Sequence, residues 1–308
     1  MNKVIVVVGP TAVGKTKISI ELAKHYGLEI ISGDSVAVYK GLDIGSAKPS
    51  LEERDGIVHH LLDVLEPNEQ YNVADFQKSA RSIMDKNKVS LICGGTGLYV
   101  QAAIFNYEFD APKRDDKNLE KYNCYSNEEL FKILLERDPN IDTNIIHPNN
   151  RKRVLRALEV IESQGVSIHS YQKKKEALYD YFIVYLSLDR ELLYERIGKR
   201  VDIMLEDGLL NEVKTLYDNG VYPTGIGYRE WIPYFEGRIS YEEAVEEIKK
   251  NTRHLAKRQE TWFRNQMSTN FYKVDLDNIN NTIETIKKDI DEWMWVYASI
   301  FNRFTWCW

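Results

Sequence analysis

Short apolar segments alternate with amphipathic ones along much of the chain. The apolar segments cover residues 4–8, 29–32, 89–93 and 181–188, and each is followed by glycine-rich or polar residues. Segments of this length, separated by helical patterns, predict the parallel strands of an α/β sheet. Such sheets carry their functional groups at the carboxyl ends of the strands. The residues directly after each segment are therefore the first candidates for chemistry.

The stretch between the third and fourth predicted strands differs from the rest of the chain. Residues 111–178 are polar and helical in pattern and contain no strong strand segment. They predict a helical insertion domain, flanked by an α/β core made of residues 1–110 and 179–308. Beyond Asp189 the pattern stays helical to about Met267, and the aromatic-rich end of the chain gives no assignment.

A complete phosphate-binding motif follows the first apolar segment. The stretch GPTAVGKT has the spacing G-x-x-x-x-G-K-T, after a predicted strand and before a helical pattern, and predicts a P-loop NTPase-like core. Backbone N–H groups of such a loop, the helix N-terminus and the lysine ammonium surround an oligophosphate, and the threonine hydroxyl can bind Mg²⁺. The predicted phosphate-binding residues of this P-loop are Gly9, Pro10, Thr11, Ala12, Val13, Gly14, Lys15 and Thr16, with Thr16 as the predicted metal ligand.

The P-loop alone does not separate a nucleotide hydrolase from other phosphate-binding enzymes. A hydrolase usually has an acidic residue at the end of another core strand to hold Mg²⁺, but residues 89–93 lead into Gly-Gly-Thr-Gly. Asp34, after residues 29–32, is the only carboxylate at a comparable strand end. We interpret Asp34 as a general base that faces an acceptor group, the alternative being a turn or helix-capping aspartate.

Basic residues are clustered, although the 308-residue chain has a net charge of −6. The helical segment 240–265 concentrates cations around Gln259 and Trp262, which could hydrogen-bond and stack with a nucleic acid. A second cluster opens a helical pattern in the insertion, and a third pairs Arg196 with Arg200 one turn apart. The pattern indicates one small and one large anionic ligand. The cations of the first two clusters include Arg253, Lys257, Arg258 and Arg264, and Lys152, Arg153 and Arg156.

Composition narrows the class of protein further. Hydrophobic residues make up 43% and charged residues 29% of the chain, as in an ordinary globular protein. The three cysteines fall in no paired spacing, which argues against a disulfide framework or a zinc site and fits a reducing compartment. The apolar run at residues 4–8 is too short to span a membrane. We therefore expect a cytoplasmic protein without membrane association, compatible with a monomer.

Several longer stretches occur in an order typical of one enzyme family. They are GPTAVGKT, ISGDSVAVYKGLDIGSAKP, HHLLDV, YNVADF, GGTGLY, HPNNRKRVLRALEV, RIGKRVDIMLEDGLLNEV, GIGYREW and TRHLAKRQETWFR. Together they resemble the motifs of tRNA dimethylallyltransferases, also called tRNA isopentenyltransferases, over about residues 3–272. This family transfers a dimethylallyl group from dimethylallyl diphosphate to N6 of the adenosine on the 3′ side of certain tRNA anticodons.

The resemblance implies roles for the candidate residues. The P-loop would hold the diphosphate through Lys15, with Mg²⁺ near Thr16, and Arg200 and Arg196 would neutralise the charge that builds up on the leaving group. Asp34 would accept a proton or hydrogen bond from the adenine amine of a base turned out of its stack. The residues implied to contact the tRNA anticodon stem-loop are Asp34, Ser35, Val36, Ala37, Thr96, Lys152, Arg153, Arg156, Arg253, Lys257, Arg258, Gln259, Trp262 and Arg264.

Three departures and several alternatives accompany this interpretation, one departure being a shortened approach to Gly227 and Tyr228. The chain has Ala37 where the family often has Gln, and the segment after Ala111 lacks the usual Arg-containing stretch, so the insertion is expected to grip tRNA differently. A small-molecule kinase with ATP on the P-loop, an adenylate prenyltransferase and a non-catalytic RNA-binding P-loop protein are the alternatives. The stretch TRHLAKRQETWFR, the insertion and the second basic cluster favour a macromolecular acceptor.

Overall fold

The computed structural model describes residues 1–107, 119–168 and 176–304. It divides into two compact units, one formed by Met1–Phe105 with the chain from Ala177 onward, the other by Asn106–Glu176. The predicted boundaries were 110/111 and 178/179. The segment directly after Ala111, where we expected a departure from the family, lies outside the described residues.

The first unit is built on a six-stranded sheet in the order β3-β2-β4-β1-β5-β6. All of the strand pairings are parallel, which confirms the predicted α/β core. The two edge strands, β3 and β6, were not predicted because neither forms a clear apolar run. The strands are β1 (Lys3–Val8), β2 (Ile30–Gly33), β3 (His59–His60), β4 (Val89–Gly94), β5 (Asp180–Ser187) and β6 (Asn270–Lys273).

Helices cover both faces of the sheet. Val4, Val6 and Val8 of β1 point into one apolar cluster, and Ile5 and Val7 point into another, so β1 is buried on both sides. This two-sided burial explains its uninterrupted apolar sequence. One face packs against α2 (Val73–Met84), α3 (Gly97–Ile104) and the later part of α9 (Tyr241–Gln266), and the other against α1 (Lys15–Tyr26) and α10 (Ile279–Phe304).

The C-terminal helices pack around a separate apolar cluster beside the sheet. Tyr228 and Trp231 are fully buried at its centre. The long helix α9 has the predicted start, because Ser240 accepts a hydrogen bond from the Glu243 amide while the Glu243 side chain accepts one from the Ser240 amide. The other helices here are α6 (Arg190–Glu206), α7 (Leu209–Asp218) and α8 (Ile232–Phe235). Among the described residues, no helix is long and apolar enough to cross a membrane.

The second unit is helical and has its own core. Its described helices are α4 (Asn127–Arg137) and α5 (Arg151–Gln164), which pack through Leu130, Leu134 and Leu158. At the surface of this core, Glu162 binds Lys121, Tyr122 and Arg137. A hydrophobic core of this kind, with its polar groups paired at the rim, is what an independently packed insertion requires.

Candidate active site

The P-loop lies at the carboxyl end of β1 and opens α1, as the motif predicted. Its lysine points back into the loop: Lys15 Nζ donates to the carbonyl oxygens of Gly9 at 3.0 Å and Pro10 at 2.7 Å. Ala12 has a φ of 62°, unusual for a residue with a side chain. Its carbonyl oxygen accepts a 2.8 Å hydrogen bond from Arg196 Nε of α6. Arg196 therefore supports the shape of the loop from outside it.

Burial disfavours the protonated form of Lys15. The loss of water around the ammonium lowers the pKa of Lys15 to about 8, with a further lowering from the nearby guanidinium of Arg200. Cys93 and the carboxylate of Asp34 act in the opposite direction. A phosphate group bound in the loop would favour the charged form of Lys15 and raise its pKa again.

Arg200 presents a second cation to the same space. It lies one turn after Arg196 on α6, and its Nε is buried without a hydrogen-bond partner in the described part of the chain. Burial lowers the pKa of Arg200, and Arg196 lowers it further, while Glu53 opposes this shift. A buried guanidinium N–H without an acceptor is costly, and a bound anion would supply that acceptor.

Asp34 combines the two roles that its sequence position allowed. It follows β2, and its Oδ1 accepts hydrogen bonds from the backbone amides of Val36 at 2.7 Å and Ala37 at 3.1 Å. That is the turn-capping role. Its Oδ2 accepts no hydrogen bond from any residue that the structure describes, and the side chain lines the same cavity as Lys15. One oxygen thus holds the turn and the other is free for an acceptor group.

The turn after β4 is held by two residues of α9. Gln259 Nε2 donates a 2.9 Å hydrogen bond to the carbonyl oxygen of Gly95. A Cβ at Gly97 would lie 2.5 Å from Cδ2 of Trp262, so only glycine lets that ring approach. Gln259 and Trp262, which we interpreted as RNA contacts, are both half-buried and contact the turn that carries Thr96 between its two glycines. Gln259 also lines the cavity that contains Lys15, and the RNA contacts of both residues stay predictions. The cations beside them on α9 were the reason for predicting RNA contacts.

One cavity of about 580 Å³ brings most of the predicted catalytic residues together. Lys15, Thr16, Asp34, Arg196 and Arg200 all line it, so cations and a carboxylate face a shared space. Further polar and charged residues, among them Glu21, Glu53 and Asp55, line it as well. Another part of the wall is formed by apolar side chains from four separate segments, and no local pattern in the sequence predicts that these side chains meet. They are Val36, Ile197, Val201, Met204, Ile226, Ile248 and Leu255.

Ala37 is not available to a ligand in this structure. Its side chain is 3% exposed, and its amide is bonded to Asp34. A base contact through this side chain, which the family motif implied, is therefore corrected here: Ala37 is part of the turn. Val36 lines the cavity, and Ser35 is half-buried beside it.

The cations of α9 differ in how they are held. Lys257 and Arg258 are exposed, and neither has an ion-pair partner among the residues described. Arg264 pairs with Glu260 at 2.8 Å and lies over the ring of Phe271. Arg253 is half-buried, with its guanidinium 6.0 Å from the ring centre of Tyr194. The first two are the cations most readily available to an external phosphate.

The basic cluster of the second unit is partly committed to its own fold. Arg156 pairs with the buried Glu159 at 2.6 Å, and Arg153 donates to the carbonyl oxygen of Ile145 at 2.9 Å. Lys152 is exposed at the start of α5. The predicted contacts of these three residues with RNA stay predictions, and Lys152 and Arg153 are the exposed members of the cluster.

Known proteins resemble the chain over nearly its whole length. Its residues 37–266 match the family model for IPP transferase, and residues 2–65 match that for isopentenyl transferase. It is 45% identical to a tRNA dimethylallyltransferase of Enterococcus faecalis over 96% of this chain and 98% of that protein. With one of Bacillus subtilis it shares 44% identity over 87% and 90% of the two chains.

Solved structures agree with this match. A full-length tRNA isopentenylpyrophosphate transferase from Bacillus halodurans superposes with a TM-score of 0.71 at 40% identity, covering 97% of this chain and 100% of the other. A eukaryotic dimethylallyltransferase acting on tRNA superposes with a TM-score of 0.75 at 30% identity, covering 89% and 74%. With its P-loop, strand-end aspartate and matching motifs, the chain belongs to the IPP transferase family, whose curated relatives are tRNA dimethylallyltransferases.

Proposed function

We propose that the protein transfers the dimethylallyl group of dimethylallyl diphosphate to N6 of the adenosine on the 3′ side of a tRNA anticodon. The observation that carries the proposal is the composition of the main cavity. Phosphate-binding groups, an apolar wall and a carboxylate with a free oxygen line one space of about 580 Å³. An allylic diphosphate needs the first two, and an amine acceptor needs the third.

The diphosphate end of the donor would lie in the P-loop. Lys15 and the buried guanidinium of Arg200 would bind its oxygens, while Arg196 holds the loop through Ala12. As the bond between C1 of the allyl group and the diphosphate oxygen breaks, its electron pair moves onto the diphosphate. Cations already fixed around that position stabilise the transition state more than the ground state.

The chain also has a place for Mg²⁺. Thr16 lines the cavity at the start of α1, and its hydroxyl makes no hydrogen bond to any described residue. Mg²⁺ commonly takes only one or two protein ligands and fills its remaining positions with phosphate oxygens and water, so a single threonine hydroxyl fits. When bound, the ion would neutralise further charge on the leaving diphosphate.

Asp34 would act on the acceptor. The adenine N6 is a weak nucleophile because its lone pair is delocalised into the ring. As N6 forms its bond to C1 of the allyl group, Oδ2 of Asp34 accepts the N6 proton, while Oδ1 stays bonded to the amides of Val36 and Ala37. The fixed turn therefore keeps the carboxylate of Asp34 oriented while it accepts the proton.

The acceptor is proposed to be tRNA because of the surface around α9. Lys257 and Arg258 present exposed charge on the helix whose Gln259 holds the turn at Thr96. Phosphate contacts at this helix would place a flipped base beside Asp34. We also propose that the protein acts in the cytoplasm, which the free thiols of Cys93 and Cys124 support, and as a monomer, because one chain supplies all of these residues.

A kinase or an adenylate prenyltransferase would use the same P-loop and Asp34. The test is incubation of the protein with radiolabelled dimethylallyl diphosphate, Mg²⁺ and unmodified tRNA, with AMP and ATP as alternative substrates. Label in the acid-insoluble tRNA fraction is the expected result. Label in AMP, or consumption of ATP without transfer to tRNA, would replace the proposal with one of the two alternatives.

A further inference from the structure

The turn after β4 leads into an exposed leucine. Leu98 is the second residue of α3 and is 40% exposed, whereas the six residues that follow it in the helix are all buried. A helical side chain leans towards the N-terminus of its helix and covers the turn before it. The side chain of Leu98 therefore lies over the turn formed by Gly95, Thr96 and Gly97.

This turn belongs to the rim of the main cavity. Gly95 lines the cavity, as does Asp34. The amide of Thr96 donates a 3.4 Å hydrogen bond to the carbonyl oxygen of Gly33, the residue directly before Asp34. Leu98 follows Thr96 by two residues, so the leucine and the aspartate come from two strand ends that are bonded to each other. Both lie at the same edge of the sheet.

The chain is held on both sides of the leucine. Before it, a Cβ at Gly97 would overlap the ring of Trp262, so the turn and α9 are in close contact. After it, the ring of Tyr99 stacks on that of Phe76, with 4.4 Å between the ring centres. An exposed side chain on a rigid support contacts a ligand with little loss of conformational entropy. Leu98 is supported in this way.

The surface around the leucine favours one class of ligand. Exposed leucines occur singly on many proteins, so exposure alone assigns no role to Leu98. Lys257 and Arg258, however, are exposed on α9, the helix whose Gln259 and Trp262 contact the same turn. An apolar side chain near exposed cations fits a single-stranded nucleic acid, because the cations bind phosphates and the apolar group meets the bases. An RNA strand is therefore the occupant that this surface fits.

Transfer to N6 requires the target adenine to leave its stack and enter the cavity. Turning a base out leaves a gap between its two neighbours and costs their stacking energy. Proteins that unstack bases often insert an apolar side chain, leucine among them, between the bases. Among residues 95–98, only Leu98 has a large apolar side chain. It has the chemistry and the exposure that such an insertion requires.

We infer that Leu98 is a wedge residue for base flipping: its side chain enters the gap that the target adenosine leaves and packs against the neighbouring base on the 3′ side. The inference rests on the proposed function. Asp34 would receive the flipped adenine while Leu98 keeps the gap filled, from two strand ends that are joined by the bond between Thr96 and Gly33. Loss of the wedge lowers the fraction of flipped base and leaves donor binding intact.

The first measurement follows flipping directly. In an anticodon stem-loop, 2-aminopurine replaces the target adenine; it fluoresces more strongly when unstacked, and it lacks the N6 amine, so no transfer occurs. We expect the wild-type protein to raise the fluorescence, and Leu98→Ala to give a roughly threefold smaller increase at saturation. Leu98→Met restores an apolar side chain of similar volume and should recover most of the signal. The matched control is Leu192→Ala, which changes an exposed leucine in the first turn of α6.

A second measurement separates a wedge from a merely structural role. It compares kcat/KM for transfer to the normal stem-loop with that for a stem-loop whose base on the 3′ side of the target is abasic, so that little stacking has to be broken. Leu98→Ala should lose roughly tenfold against the wild type on the normal stem-loop and almost nothing on the abasic one. Equal losses on both substrates, or no recovery in Leu98→Met, would overturn the inference.

The wild-type protein and a donor analogue separate the two levels of the proposal. If the wild-type protein neither labels the stem-loop nor raises the 2-aminopurine signal, the proposed function is wrong and this inference fails with it. If it transfers the group, but Leu98→Ala equals it in fluorescence and in kcat/KM, only the wedge role is refuted. Affinity for a non-hydrolysable thiolodiphosphate analogue of the donor should be the same in both proteins. A weaker affinity in Leu98→Ala would mean that the substitution disturbs the cavity itself, which would also refute the wedge.

Discussion

Asp34 offers a perturbation that separates its two structural roles. Oδ1 accepts amide hydrogen bonds at 2.7 and 3.1 Å, whereas Oδ2 has no partner within the described residues. Asp34→Asn keeps the Oδ1 acceptor and replaces the free carboxylate oxygen by an NH₂ group, so the turn survives and the base is lost. Asp34→Ala removes both. We expect kcat to fall by about 10²–10⁴ in each variant, the usual contribution of a general base.

The free energy of unfolding should differ between the two variants. Loss of two turn hydrogen bonds in Asp34→Ala removes about 1–2 kcal/mol, in the range measured for capping aspartates replaced by alanine. In a chain of 308 residues this corresponds to a decrease in Tm of about 1.5–3 °C. Asp34→Asn keeps an oxygen acceptor for both amides, so its unfolding free energy should stay within about 0.5 kcal/mol of the wild type.

The assay is single-turnover transfer of labelled dimethylallyl to saturating tRNA, with tRNA affinity and thermal unfolding measured on the same samples. Affinity for tRNA should be nearly unchanged in both variants, because the lost function is proton transfer. Wild-type turnover in Asp34→Asn would refute the reasoning: Asp34 would then be a turn residue alone. A tRNA affinity that falls as much as kcat would assign it to binding instead.

Three further predictions concern the P-loop, the turn after β4 and the surface of α9. The pKa of Lys15 is about 8, so its ammonium loses its proton as the pH rises through that value. The affinity for inorganic diphosphate, measured by calorimetry, should therefore fall between about pH 7 and about pH 9. The Lys15→Met variant should bind diphosphate more weakly and with less dependence on pH. Gly97→Ala should lower the free energy of unfolding by about 1–3 kcal/mol because its Cβ meets Trp262, with partial recovery in the double variant with Trp262→Leu. Arg258→Ala should reduce the slope of log affinity for tRNA against log salt by about 0.7–0.9, whereas Arg238→Ala, already paired with Glu236, should not.

Each of these has a clear contrary outcome. A pH-independent affinity for diphosphate in the wild-type protein would mean that Lys15 stays charged throughout. Wild-type stability of Gly97→Ala would mean that the ring of Trp262 moves freely. An unchanged salt slope in Arg258→Ala would remove that residue from the tRNA contact surface.

The sequence predicted those parts of the site that are local in the chain. The P-loop is read from eight consecutive residues, and Asp34 from its place after a strand, because strand ends of a parallel sheet share one edge. The apolar runs of β1, β4 and β5 are likewise made of consecutive residues. The edge strand β6, Asn270–Lys273, is short and only partly buried, so its sequence carries little periodicity to detect.

The parts that the sequence could not predict depend on distant segments meeting. Gln259 and Trp262 stand among cations and were interpreted as RNA contacts, but nothing in the sequence predicted that both also contact glycines more than 150 residues away in the chain. Glu212 looks like any surface glutamate of an amphipathic helix. Its importance comes from three amides of a segment about 168 residues earlier. Contacts over such distances in the chain do not change the local periodicity of the sequence. The only local sign is a glycine at a position where a large side chain from a distant segment packs.

The polar groups around residues 43–45 and those around the main cavity differ in whether the protein itself supplies their partners. The amides of residues 43–45 could bind an anion, but Glu212 occupies them, so that concave site is part of the scaffold. Around the main cavity the opposite holds: the described residues leave Arg200 Nε and Asp34 Oδ2 without partners. A buried unpaired donor is costly, and an anionic ligand in this cavity would supply the missing acceptor of Arg200 Nε. The diphosphate leaving group of an allylic donor would supply the anion that Arg200 lacks. An amine acceptor that loses a proton would supply the hydrogen-bond donor that Asp34 lacks.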